Sequence, residues 1–313
     1  MHRILISLTF TLIAALMAAG CSDAETPADP ADANAFGDDL LKAPGTQYVA
    51  PDWPDGLWQP SRVLMNVTEP IRRGLVDARG IIHAHSAYSH DACDGKGFDK
   101  DGNINEPCIN DFRDDLCKVG HDFVMITDHS SHFREHPFPE VLLYRAAKGD
   151  KLVERAGQPV ANRVACKNGR WPLLLAGGET SASMPVGLEG HVPGDDAARA
   201  SAYGDKTPEA YAKLKAQGAV VLIAHTEDWQ ADELVSMPLD GFEMYNLHAN
   251  MVARMADALK LMTIALSKEP NVAPHPDLSL LPLIWEDERY LSRWGSVLAQ
   301  GVKRVTTMGT DCH

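Results

Sequence analysis

Gly80-Ile81-Ile82-His83-Ala84-His85 is the stretch on which the reading of this chain turns. A short apolar run ends on two histidines one residue apart. In an extended strand residues i and i+2 point to the same side, so a strand here aims both imidazoles at one place. The same pattern recurs downstream. Phe123-Val124-Met125-Ile126 runs into Thr127-Asp128-His129, and Leu173-Leu174-Leu175-Ala176 into Gly177-Gly178-Glu179. Ala219-Val220-Val221-Leu222-Ile223-Ala224 precedes His225, Gly241-Phe242-Glu243-Met244-Tyr245 precedes Asn246, and Arg304-Val305-Thr306-Thr307-Met308 precedes Gly309-Thr310-Asp311. Short continuous apolar runs suit buried parallel strands. Helical patterns lie between them: an amphipathic segment at 110–119, a helix that Thr207 caps and that ends near Gln217-Gly218, and two longer helices at 250–268 and 287–300. The alternation predicts an α/β fold with a parallel sheet. Neither GxGxxG nor GxxxxGK[ST] follows any of these strands, so a nucleotide-binding sheet has no support.

Composition bounds the function. The chain has 313 residues, is 45% hydrophobic and 23% charged, and carries a formal charge of −14. Those values describe a folding sequence rather than a disordered one. The acidic balance argues against a stable nucleic-acid partner, which would need lysines and arginines to neutralise phosphates. It is compatible with cation binding, and 13 histidines supply donors.

The N-terminus reads as an address. Residues 1–20 carry Arg3, a nearly unbroken apolar run from Ile4 to Ala19, and then small residues, the pattern of a secretory signal peptide. Ala18-Ala19-Gly20-Cys21 resembles a bacterial lipobox, with Ala18 where leucine is most common. That resemblance implies a lipid on Cys21, export, and attachment to a bacterial membrane facing the periplasm. Cleavage would remove Arg3 and turn −14 into −15. Residues 21–55, rich in Asp, Ala and Pro, read as a solvated tether, and residues 56–313 as the main folded domain. Export permits disulfides. A local bond among Cys93, Cys108 and Cys117 is expected, Cys93–Cys108 closing a polar loop is one choice, and Cys166 and Cys312 stand apart. The pairing stays open at this point.

The chemistry lies at the strand ends. His83, His85, His129, Glu179, His225, Asp311 and His313 each fall at or just beyond the C-terminal end of an apolar run. In parallel α/β barrels those ends converge on one face, where active sites form. His83-Ala84-His85 alone would be a weak signal, because two histidines at a strand edge are as often merely exposed. Taken in order, Gly80 to His90, Ile126-Thr127-Asp128-His129, Gly178-Glu179, Ile223-Ala224-His225 and Gly309-Thr310-Asp311-Cys312-His313 resemble the PHP (polymerase and histidinol phosphatase) family of metal-dependent phosphoesterases. The resemblance spans about residues 78–313.

This resemblance implies a distorted (β/α)7 barrel with up to three metal ions in a cleft at the strand C-termini. It implies a first ion on His83, His85, Glu179 and Asp311. It implies a second that shares Glu179 and adds His191 and His225, and a third on His90, His129 and His313. Position 90, often Asp in the family, is His here, which favours zinc, manganese or iron over magnesium. The implied activity is hydrolysis of a small phosphate ester by a metal-bridging hydroxide, with Glu179 central. Hydrolysis of an amide, lactone or carboxylic ester, and a non-catalytic metal-binding lipoprotein, are the alternatives.

Asp128 either orients an imidazole or simply ends its strand. Arg134 and His132, a few residues past His129, are within reach of a substrate phosphate, although a solvated loop is the plainer reading. Glu243 and Asn246 end a strand and line the cleft. His132-Phe133-Arg134-Glu135-His136 spells HxxEH, but Pro137 disfavours the helix that motif needs. Asp99-Lys100-Asp101-Gly102-Asn103 reads as a polar turn, because a calcium loop would need Gly at its sixth position and Glu at its twelfth. His121, His248 and His275 read as structural or exposed. The sequence stops without a helix to cover the last strand, so either the barrel lacks its closing helix or the natural chain runs on.

Overall fold

The computed structural model describes residues 78–266, 283–284 and 288–311. The signal, the lipobox Cys21, the tether, His275, Cys312 and the expected ligand His313 lie outside the described residues.

All six apolar runs are strands. They are β1 (Gly80–Ala84), β2 (Phe123–Ile126), β5 (Leu173–Gly177), β7 (Val220–Leu222), β8 (Gly241–Asn246) and β9 (Val305–Gly309). β1, β2 and β5 pair in parallel in that order. Three further strands run antiparallel: β3 (Lys151–Arg155), β4 (Gln158–Arg163) and β6 (Met184–Leu188). The far edge of β5 is divided between two of them. Residues 173–175 pair with β4, and residues 176–177 pair with β6. β3 completes a hairpin on β4, and β7 pairs with β6.

β8 and β9 form a parallel pair of their own. Backbone bonds tie that pair to the larger sheet at both ends. Ile223 N donates to Gly241 O at 3.2 Å and Glu243 N to Ile223 O at 2.9 Å, while Asp311 N donates to His83 O at 3.2 Å. The sheet is therefore curled, and the C-terminal ends of β1, β2, β5, β7, β8 and β9 meet on one side. This is a mixed α/β fold compatible with a partial barrel. The expectation of a purely parallel sheet is corrected by β3, β4 and β6.

The helices follow local chemistry. α1 (Glu106–Val119) starts four residues before the expected 110, because Asn105 caps it by accepting from Cys108 N and Gly120 ends it in the left-handed region at φ 82°. α2 (Ser130–Phe133) and α3 (Phe138–Val141) are single turns. α4 (Asp196–Gly204) is capped by Asp195, and α5 (Pro208–Ala216) by Thr207 as expected. α6 (Ala231–Ser236) follows β7. The long helix expected at 250–268 is two, α7 (Leu247–Ala253) and α8 (Met255–Leu266), which part at Arg254 with φ −121° and ψ 23°. Asn246 caps α7 and moves its start to 247. α9 (Glu288–Ala299) matches the last helix. Between sheet and helices lies a core that includes Ile126, Leu174, Val221, Phe242, Leu116 and Val297, all buried.

One buried ion pair fastens α1 to the segment between α3 and β4. Arg113 on α1 grips Asp150 with two bonds, Nη1 to Oδ2 at 2.6 Å and Nη2 to Oδ1 at 2.7 Å. Asp150 also accepts from Arg145 N, Asn162 Nδ2 and Ala165 N. Burial pushes its carboxyl up, but the Arg113 guanidinium and these amides outweigh that and hold it below the usual range. Removing one partner of such a pair strands a buried charge. Asp150→Ala is expected to cost about 3–5 kcal/mol in urea denaturation at neutral pH. The carboxyl is depressed on folding, so its contribution is complete above the ordinary carboxylate pKa of about 4 and fades as pH falls through the folded value. The gap between wild type and Asp150→Ala should therefore narrow in acid.

Candidate metal centre

The end of β1 and one residue just past each of β5 and β9 build the centre. His83 lies in β1 and His85 one step beyond it, on the same side; their Nε2 atoms are 3.3 Å apart. Glu179, held after β5 by its N–H to the Asp128 carbonyl, places Oε2 3.1 Å from each of those nitrogens. Asp311, just past β9, places Oδ1 3.3 Å from His83 Nε2 and 3.2 Å from His85 Nε2. All four residues are buried. A tetrahedral ion with donors at 2.0–2.1 Å requires donor–donor edges of about 3.3–3.4 Å. The five edges measured here, 3.1–3.3 Å, match that figure. Glu179 Oε2 is buried and accepts no hydrogen bond, although it faces two ring nitrogens. A buried carboxylate oxygen left so is costly, and a cation among the four donors satisfies it. His83, His85, Glu179 and Asp311 can hold a metal ion.

The surrounding contacts orient these donors. His83 Nδ1 lies 2.7 Å from Glu243 Oε1, buried within β8, so its Nε2 is turned inward. Asn246 Nδ2 donates to both Glu243 Oε2 and Asp311 Oδ2. Thr310 Oγ1 donates to the His83 carbonyl at 2.6 Å, locking the end of β9 against β1. The electrostatics agree. Burial alone would lower the His83 pKa, but the carboxylates of Asp311, Glu179 and Glu243 raise it well above the ordinary value. For Glu179, burial pushes upward, and His225, His83 and His85 more than reverse it, leaving the carboxyl well below its usual range. The pocket favours positive charge.

A second group shares His85. His129 Nε2 lies 2.9 Å from Asp91 Oδ2, and His85 Nδ1 lies 3.8 Å from Asp91 Oδ1. His85, Asp91 and His129 are close enough to hold an ion together. Asp91 stands where the sequence reading put His90. His90 is exposed, its ring 4.7 Å from that of His129 and outside the group. His225 does reach the centre. Its Nε2 is 3.3 Å from both Glu179 Oε1 and Asp311 Oδ2, and its Nδ1 faces Glu227 Oε1 at 3.2 Å. Both His225 and Asp311 have positive φ, 49° and 53°. Strain of this kind in non-glycine residues gathers at functional sites.

Other expected residues are elsewhere. His191 is not brought to either group: its Nδ1 meets Tyr203 Oη at 3.1 Å and its Nε2 the His136 carbonyl at 2.8 Å, with Phe133 and Phe138 packed on the ring. Both ring nitrogens are engaged there, away from the two groups. Arg134 donates Nε to Asp196 Oδ1 at 2.6 Å, an ion pair at the start of α4. Asp128 is fully buried and accepts from Ser86 N and Oγ at 2.5 and 2.7 Å, so it anchors the backbone after His85.

His248 is part of the setting and not a bystander: its Nδ1 is 3.2 Å from Asp311 Oδ2. The HxxEH segment is not one helix, since α2 ends at Phe133, and Asp99 closes a polar turn by accepting from Asp101 N and Asn103 N, both as expected. Comparison with protein-family models, curated proteins and solved structures finds no match for this chain.

Gly309 allows Glu243 to reach His83. A Cβ at 309 would stand 1.8 Å from Glu243 Oε1 and 2.6 Å from its Cδ. Gly309→Ala should displace that carboxylate and weaken metal binding about 10–100-fold, as loss of a group behind a ligand does. Gly295→Ala, where a Cβ meets nothing within 4 Å, should bind metal like wild type. Metal titration against a competing indicator separates the two.

Proposed function

We propose that this chain is a metal-dependent hydrolase of small phosphate esters, with the PHP-type distorted (β/α)7 barrel that its motifs resemble. The observation that carries the reading is the close spacing of four buried donors, from His83, His85, Glu179 and Asp311, among which the Glu179 oxygen accepts no hydrogen bond. Seven strands support the barrel: β1, β2, β5, β6, β7, β8 and β9 follow one another by pairing or backbone bonds, and β9 returns to β1 through Asp311 N and the His83 carbonyl.

The proposed complement is two to three divalent transition ions. One would rest on His83, His85, Glu179 and Asp311, and one on Asp91 and His129 with the His85 imidazole, deprotonated at both nitrogens, shared between the two. His225, beside the outer oxygens of Glu179 and Asp311, extends the donors outward. Imidazole-rich donors favour zinc, manganese or iron. When bound, such ions acidify water and neutralise charge on phosphoryl oxygens. The chain supplies orientation. Glu243 fixes the His83 ring, and Glu227, itself hydrogen-bonded by Tyr290, fixes His225. His129 and His225 are partly exposed, so the buried first group opens towards solvent through them. Two disulfides, Cys93–Cys108 and Cys117–Cys166, support an oxidising compartment, in line with export and a lipid anchor on Cys21.

The purified protein should carry transition metal by elemental analysis, and Glu179→Ala should lose it. Phosphomonoesters and phosphodiesters screened beside amides, lactones and carboxylic esters should show turnover of a phosphate ester alone. Exhaustive chelation should abolish it, and zinc or manganese should restore it. Turnover confined to a non-phosphate bond would refute the substrate class while leaving the metal centre standing.

A further inference from the structure

His85 and His129 are fixed by strand ends, but Asp91 is not. It belongs to the loop between β1 and α1, and only Ala92 separates it from Cys93. Cys93 and Asp94 are successive non-glycine residues in the left-handed region, with φ 58° and 55°. Such a pair persists only where its surroundings impose it. Cys93 is bonded to Cys108, in the first turn of α1. Asn105 braces the same junction: its Oδ1 accepts from Cys108 N, and its Nδ2 donates to the Lys96 carbonyl. On the ligand side, Ser89 Oγ donates to Asp91 Oδ1 at 2.6 Å and faces His85 Nδ1 at 2.9 Å.

We propose that the Cys93–Cys108 disulfide is the clamp that holds Asp91 in the second metal group, so that breaking this bond releases the second ion and spares the first. The inference rests on reading His85, Asp91 and His129 as metal-binding. The first group draws its donors from the ends of β1, β5 and β9, which the sheet fixes without help from the loop. In reduction, a thiol reductant closes to its own disulfide, and its two electrons and two protons convert Cys93 and Cys108 to thiols. Both cysteines are half-buried and border an open groove beside α1, so a reductant can reach them. The second disulfide, Cys117–Cys166, joins the other end of α1 to the turn after β4 and adjoins no metal-group residue.

The test counts ions in the full chain saturated with zinc and dialysed. Cys93→Ser/Cys108→Ser should hold one ion fewer than wild type, or bind the last ion at least about tenfold more weakly. Asp91→Asn, with the disulfide intact, should reproduce that loss. Cys117→Ser/Cys166→Ser should keep the wild-type count. Should the cysteine variants fold poorly, the folded metal-loaded protein is treated with a trialkylphosphine, and circular dichroism is recorded beside the count. Equal counts and affinities in wild type and Cys93→Ser/Cys108→Ser would overturn the proposal. So would equal metal loss on breaking either disulfide. If Asp91→Asn also matches wild type, the metal reading of the second group has failed, and the clamp with it.

Discussion

Glu179 brings a carboxylate into a buried place among imidazoles and a second carboxylate, Asp311, with Glu243 directly behind. Charges of this kind are not held out of water unless they are compensated. Much of the surrounding structure serves that compensation. The curl of the sheet exists so that strand ends far apart in sequence can meet; His83 and Asp311 are joined through the backbone across the two ends of the described chain. The positive φ values of His225 and Asp311 turn their side chains back towards the centre. Gly309 leaves room for Glu243.

The parts of this arrangement written locally were legible in the sequence. Six apolar runs ending on His, Glu, Asn or Asp gave six strands and the convergence of His83, His85, Glu179, His225 and Asp311. A buried strand and the residue just past it leave a strong one-dimensional signature. The rest had none. β3 and β4 are half-exposed and largely polar, and β6 contains Pro185 and Gly187, so none of the three displays an apolar run. The cap at Asn246 moves the helix start, and Arg254 leaves helical geometry at φ −121° and ψ 23°; an apolar periodicity registers neither.

Site residues divide in the same way. Asp91 and His90 are neighbours, and which of them bonds to the His129 ring is decided by the path of the loop after β1, which no local sequence pattern displays. A Glu inside the apolar run of β8 was the visible sign of Glu243, whereas nothing in the sequence distinguished His248, which reaches Asp311 through the start of α7. His191 carried the opposite lesson. Its short Gly-His-Val context resembled a ligand motif, but Tyr203 and the His136 carbonyl occupy its ring.

The divided edge of β5 has a consequence for how such a molecule can diversify. The β3–β4 hairpin hangs on the first three residues of the strand, and β6 takes the last two, next to Glu179. At that handover Gly177 is hemmed in by the Pro185 and Ile126 carbonyls, where a Cβ would stand 2.5 and 2.9 Å away. The strand thus has a conserving half and a permissive half. The hairpin can lengthen, shorten or change its sequence while the end of β5 next to Glu179 keeps its register. Inserted residues should therefore be tolerated at the turn between β3 and β4, while a side chain at position 177 should not.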